Sequence, residues 1–431
     1  MYHIAKLKNG ITSIVVPAKE AKSITILAMF PIGSRYETKD VSGAAHFVEH
    51  MMFKGTVKRP EAIDISRDLE AAGADYNAFT NKDYTGYYVK IDARKQELAF
   101  DLLSDMIYHS VLKQEEVEKE KGAIVEEIRM YQDNPTMGVD MLLDEALFGN
   151  TPLGWNIAGT EQTVRGISRS ALWKFYQAHY SPKNMVLVMA GAIDGKRAKK
   201  FLNYFVDQKA PPEANAFAFY KKGFAEFVWP EKALPLEERV KVTEKKIDQA
   251  HVMLGFPGIP NNHPDRFALS VLLNILGVGM SSRLFVEVRE KRGLAYMVRA
   301  GSGSYRDVGL CYIQAGLDPA RLPEALKVID TELARLVTEP VTKEEITNAK
   351  TSIAGRLALS WEDSSTQAEW FAKEFLFAKK IETPDEIVKK INKVTIGEVH
   401  TMAKKIFQRD AMRVAAIGPV TREQVLNIIP R

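Results

Sequence analysis

The sequence has one cysteine in 431 residues, Cys311, so no disulfide can form within the chain. A reducing compartment follows, with a buried thiol as the default for that residue. It has no run approaching 18 apolar residues, so no segment is read as spanning a membrane. Met1 leads directly into Tyr2-His3-Ile4-Ala5-Lys6-Leu7-Lys8, without the apolar core of a secretion signal. A cytoplasmic location is the expectation. Charge of one sign is also scarce: the net charge is +4, and the basic residues gather into no stripe, which gives no case for nucleic acid. What the chain does have is length and apolar content, 46% hydrophobic, enough for two to four core-bearing domains.

Histidine is rare as well, eight in all, yet two stand four apart in His46-Phe47-Val48-Glu49-His50. No Gly or Pro interrupts Ala44 to Phe53, so the spacing predicts a helix there. Residues four apart share a helix face, which lets both imidazoles reach one ion with Glu49 beside them. Zinc in hydrolases takes three protein ligands and keeps a fourth position for water. Two histidines leave one ligand to find.

A second helix is expected over Glu115 to Tyr131, where Val117, Ile124, Ile128 and Tyr131 recur at seven, four and three. Glu120 and Glu127 fall on that apolar stripe, while Glu126 shares the more solvated side with Lys119 and Met130. Carboxylates are seldom buried unless paired or bound to metal. Glu127 as a zinc ligand explains one of them. Glu120 as a carboxylate orienting a ligand histidine through its other ring nitrogen explains the second. A solvated charge run from Lys113 to Lys121 is the alternative.

These motifs resemble the pitrilysin/insulinase-type zinc peptidases, or inverzincins, whose H-x-x-E-H is followed about 76 residues later by a glutamate ligand. Glu127 lies 77 residues after His50. Gly33-Ser34-Arg35-Tyr36-Glu37, Phe53-Lys54-Gly55-Thr56 and Gly159-Thr160-Glu161 are similar to words of that family. The resemblance runs from about Leu7 to the last helix, and the length is similar to the mitochondrial-processing-peptidase branch and its bacterial relatives. It implies that His46, His50 and Glu127 hold Zn2+ and that Glu49 is the general base.

An internal repeat divides the chain. Lys113-Gln114-Glu115-Glu116-Val117 corresponds to Thr342-Lys343-Glu344-Glu345-Ile346, and Ile167 through Gly191 to Val394 through Gly418. Two halves follow, 1–206 and 239–431, with a Pro- and charge-rich linker at 207–238. Ungapped, Glu120 falls on Ala349 and Glu127 on Arg356, so the second half keeps the scaffold and lacks the ligands. It carries Arg289 and Tyr296 instead. The resemblance implies that such a pair, seven apart, reaches the substrate, and an Arg with a phenol can donate to an oxyanion.

The fold class expected is α+β: two homologous αβ layer-sandwich domains with mainly antiparallel sheets flanked by helices. Strands are predicted at Ile11–Val16, Ser23–Phe30, Ala74–Thr80, Tyr84–Ile91 and Met185–Ala190. Helices are predicted at Ala93–His109, Glu115–Tyr131, Met137–Phe148 and Arg169–His179. Within the third strand, Asn77, Ala78, Phe79 and Thr80 resemble the family's edge strand, onto which an extended peptide adds through its backbone, so side chains there are expected to matter less. The reading is a zinc endopeptidase acting on unfolded peptides in an enclosed chamber. The resemblance implies a homodimer, or a heterodimer with a paralogue, because longer relatives join four such domains. The alternatives are another zinc hydrolase, or a non-catalytic core subunit of the kind that relatives with lost ligands form.

Overall fold

The computed structural model describes residues 2–206, 226–230, 234–378 and 380–429. The chain forms two compact units, one of residues 1–128, 156–225 and 360–381, the other of residues 129–155, 226–359 and 382–431.

The first unit is built on a six-stranded sheet in the order β1-β2-β6-β3-β5-β4. Its strands are β1 His3–Lys6, β2 Thr12–Pro17, β3 Ser23–Phe30, β4 Asp75–Thr80, β5 Thr85–Asp92 and β6 Val186–Gly191. All neighbours run antiparallel except β2 and β6. Successive side chains of a strand point to opposite faces. On one face Ile24, Ile26, Ala28 and Phe30 of β3 join a core with Phe47 and Val48 of helix α1 (Ala44–Met51). On the other, Leu27 and Met29 pack with Val186 and Val188 against Phe371 of the helix Ser364–Phe377. Both faces are therefore buried, which is why β3 reads as one apolar run.

Helices α2 (Ala62–Ala71), α3 (Gln96–His109) and α4 (Gln114–Asp133) also belong largely to this unit. The second unit has five strands in the order β7-β11-β8-β10-β9: β7 Val240–Glu244, β8 Ala250–Gly258, β9 Ala295–Ser304, β10 Gly309–Leu317 and β11 Arg413–Gly418. Its one parallel pair, β7 with β11, stands where β2 with β6 stands in the first. The two sheets share order and direction once β1 is set aside, as the sequence repeat requires.

The predicted strands and helices all form, with ends displaced by a few residues. The unit boundaries depart from contiguous halves. Helix α5 (Pro135–Phe148) follows α4 in sequence, yet its Val139, Leu143 and Leu147 pack with Met253, Ala415 and Ile417 of the second unit's sheet. Its counterpart after the Lys343–Ser360 helix is Ser364–Phe377, which covers the first unit's sheet. A repeat in sequence marks equivalent helices and is silent on which sheet each one covers. Of the expected linker 207–238, residues 207–225 and 231–233 lie outside the described residues.

Candidate metal centre

Helix α1 carries His46, Glu49 and His50, and its start is fixed from outside the helix. Gly43 precedes it at φ +98°, where a Cβ would lie 2.6 Å from the Ala158 carbonyl oxygen, so glycine is required. The first N–H groups of a helix lack internal partners. Here Glu37 accepts from Gly43 N and Ala45 N, each at 2.7 Å, one with each carboxylate oxygen. Burial pushes the Glu37 carboxyl up to about 8, against those two bonds. Phe47, Val48 and Met51 anchor the helix in the core, which leaves His46 and His50 on the half-buried side.

Helix α4 presents the opposing carboxylates. Glu120 is buried, Glu127 half-buried and Glu126 exposed, as the stripe predicts. Glu120 and Glu127 are two turns apart, about 10.5 Å along the axis. His50 reaches both: Nδ1 is 2.9 Å from Glu120 Oε1 and Nε2 is 3.3 Å from Glu127 Oε2. His46 Nε2 stands 3.6 Å from the other oxygen of Glu127, and the two imidazole rings are 4.5 Å apart. One ligand atom each from His46, His50 and Glu127 thus lies within 4.8 Å of the others. Two imidazole nitrogens and a carboxylate oxygen are a donor set suited to zinc, with a fourth position left open.

Electrostatics around the three donors are tightly coupled. Burial works against a charged His50, but bonds to Glu120 and Glu127 outweigh it and raise its pKa to about 9. Burial likewise opposes ionisation of Glu120, and the neighbouring His50 and Lys54 overcome it, holding that carboxyl below its ordinary value. Glu49 is 9% exposed. Burial raises its pKa, against the pull of His46 and of the Thr80 hydroxyl.

Thr80 ends β4, an edge strand that among the described residues pairs only with β5. Its hydroxyl donates to Glu49 Oε2. Asn81 N donates to Tyr84 O across the hairpin, and antiparallel alternation then turns the N–H groups of Tyr76, Ala78 and Thr80 towards the free edge. The Ala78 N–H donates to the side chain of Asn77 at 2.9 Å. Phe79 closes over Gly86 of β5.

In the second unit the chain turns as a π-helix over Phe285–Glu290, with Lys291 N reaching back to Val286 O at 2.9 Å. Such turns recur at functional sites. The Arg289 guanidinium lies 4.8 Å from the Phe285 ring centre and 5.0 Å from that of Tyr296, and Tyr296 is 78% exposed at the start of edge strand β9. The two residues singled out in the sequence, Arg289 and Tyr296, are thus neighbours here, and Tyr296 is exposed.

Besides the Thr80–Glu49 bond, two contacts escape the sequence reading. Glu37 has no periodic relation to α1, so nothing marked it as the cap. Lys54, one turn beyond His50, could have been placed on the same face by its i+4 spacing.

Comparison with known proteins gives the family. The pattern described as insulinase (peptidase family M16) matches residues 13–161, and that described as peptidase M16 inactive domain matches residues 166–353. An uncharacterized zinc protease of Bacillus subtilis is 35% identical over 413 residues, spanning 96% of this chain and 97% of the relative. One from Streptomyces coelicolor is 34% identical over 425 residues, 98% of this chain and 90% of its own. The crystal structure of a protease from Helicobacter pylori superposes with a TM-score of 0.88 at 23% identity, over 97% of this chain and 99% of that one. A Pseudomonas fluorescens structure described as a peptidase M16 inactive domain gives 0.86 at 21%, over 97% and 98%. At those identities the structures speak for the fold, and the sequence relatives carry the assignment: the chain belongs to the insulinase family of peptidases, M16.

Proposed function

We propose that the chain is a zinc-dependent endopeptidase that hydrolyses unfolded peptide segments, working as a homodimer. The convergence of His46 Nε2, His50 Nε2 and the Glu127 carboxylate beside the buried carboxylate of Glu49 carries this reading. Zinc held by those three residues would supply Lewis-acid polarisation and lower the pKa of water to about 7.

The protein's own residues perform the rest. Glu49 takes the proton of the attacking water and returns it to the leaving amine nitrogen. Glu120, accepting from His50 Nδ1, fixes the tautomer that leaves Nε2 free to bind the metal. The free edge of β4 pairs with an extended substrate backbone, so that sequence preference falls to side-chain pockets. Arg289 and Tyr296, contributed by the second copy, donate to the developing oxyanion. The non-catalytic reading, a core subunit of the same fold, is disfavoured by the intact ligand set.

The test is metal content by mass spectrometry together with cleavage of an unstructured fluorogenic peptide, before and after chelation. One zinc per chain and cleavage restored by added zinc are expected. Stoichiometric zinc with no cleavage would leave the core-subunit reading standing, and absence of both would remove the metal centre altogether.

A further inference from the structure

Lys54 has no part in the chemistry derived above, yet it touches the group behind His50. Its ammonium nitrogen is 2.7 Å from Glu120 Oε2, while Glu120 Oε1 takes His50 Nδ1 at 2.9 Å. Each oxygen of this carboxylate is thus engaged by a different partner. The Glu120 side chain is 8% exposed and that of Lys54 27%, so the pair is set into the protein with the lysine on the outer side.

The backbone that delivers Lys54 is equally fixed. Phe53 N bonds His50 O at 3.2 Å and Lys54 N bonds Met51 O at 3.1 Å, which carries the helical turn past the end of α1. Gly55 follows at φ +114°, where a Cβ would lie 2.4 Å from Pro60 O. No other residue fits there, and the direction of the chain at Lys54 is set from both sides.

We infer that Lys54 is a positioning residue of the metal centre, acting through Glu120 on the ring of His50; this rests on the zinc reading above. A surface ion pair contributes little. A buried carboxylate is different, because an oxygen left without a donor bears its full desolvation cost. Without Lys54, Glu120 turns outward to find water or another donor, and its bond to His50 Nδ1 is lost. The imidazole then swings freely, and Nε2 meets the ion in the right orientation only part of the time. Removing a group that orients a ligand histidine costs about 10- to 100-fold in metal affinity.

The full-length variants Lys54→Met, Lys54→Arg, Glu120→Gln and Lys54→Met/Glu120→Gln test this by zinc competition against a chromophoric chelator, zinc release rate and melting of the metal-free protein. Lys54→Met should bind zinc about 10-fold more weakly and release it faster, with the metal-free melting temperature unchanged. Lys54→Arg should recover most of the loss. The double variant should be no weaker than Glu120→Gln alone, since both residues act on one ring. Native zinc affinity in Lys54→Met, or a loss that adds in full to that of Glu120→Gln, overturns the inference. If Lys54→Met does not fold, Lys54→Gln, which keeps a single amide donor, makes the same comparison and should fall between Lys54→Met and native. His50→Ala separates the two levels. A large zinc loss there with normal Lys54→Met sinks only the role of Lys54, whereas native zinc binding in His50→Ala removes the metal reading and this inference with it.

Discussion

The hydroxyl of Thr80, the last residue of the edge strand, donates to the carboxylate of Glu49 on the motif helix. The strand proposed to pair with a peptide and the carboxylate proposed as the base are thereby joined by one hydrogen bond. The sequence assigns side chains of this strand a minor part, and the bond from Thr80 to Glu49 sets up a test of that expectation. Glu49→Gln should keep zinc and lose about 10²- to 10⁴-fold in turnover. Thr80→Val should lower kcat with KM little changed, and Thr80→Ser should restore it. Steady-state kinetics on one peptide decide both, and native kcat in Thr80→Val would show the hydroxyl to be dispensable.

The three glutamates of α4 should separate by position. Glu127→Gln replaces the proposed carboxylate ligand by a neutral amide and should abolish tight zinc binding. Glu126→Gln, on the exposed side, should leave it intact. Glu120→Gln should fall between, about 10- to 100-fold weaker. Equal zinc content in all three after dialysis against a weak chelator refutes the assignment.

Backbone pairing on β4 is tested at Ala78, whose N–H faces the free edge and donates to the Asn77 side chain in this conformation. Ala78→Pro removes that donor without touching the ligands. Peptide KM should rise while zinc stays bound. An unchanged KM in a folded, zinc-loaded variant means that substrate does not add to this strand.

Assembly is tested by mixing. Glu49→Gln and Arg289→Ala homodimers should each be nearly inactive. After subunit exchange, a mixed dimer holds one site with Glu49 from one copy and Arg289 from the other, so activity should return towards half that of the native protein. Verified mixed dimers that stay inactive exclude a shared site.

His179 supplies a pH dependence of stability. Its ring packs on Phe175, centroids 4.5 Å apart, and burial lowers its pKa to about 4. Unfolded, it protonates near its ordinary value of about 6.5. The folded protein therefore keeps its full stability from this residue above about pH 6.5 and loses it progressively as pH falls towards 4, a loss on the order of 1–3 kcal/mol. Melting temperature should drop less steeply over that window in His179→Gln than in the native protein; parallel slopes would contradict the shift.

Much of the centre was legible because its residues obey helical spacing. His46 and His50 are one turn apart, Glu120 and Glu127 two turns apart on an apolar stripe, and buried carboxylates at such positions call for a partner. The short apolar strand runs and the repeat likewise expose the sheet pattern. What stayed hidden depends on contacts between elements without a shared period. Glu37 reaches α1 from an upstream turn, Thr80 meets Glu49 across 31 residues, and α5 covers the other unit's sheet although it follows α4 directly. Local periodicity says which face of an element is apolar and leaves open what will bury it.

The exchanged helices give the protein a timetable. During synthesis the last strand of the first sheet, ending at Gly191, leaves the ribosome 173 residues before Ser364, where the helix covering one of its faces begins. At about 5–20 residues per second that interval is roughly 9 to 35 s. Throughout it Ile14, Val16, Leu27, Met29, Val186 and Val188 form an uncovered apolar patch on the nascent chain, awaiting Phe371 and its neighbours. The first unit thus cannot be completed until most of the second has been made.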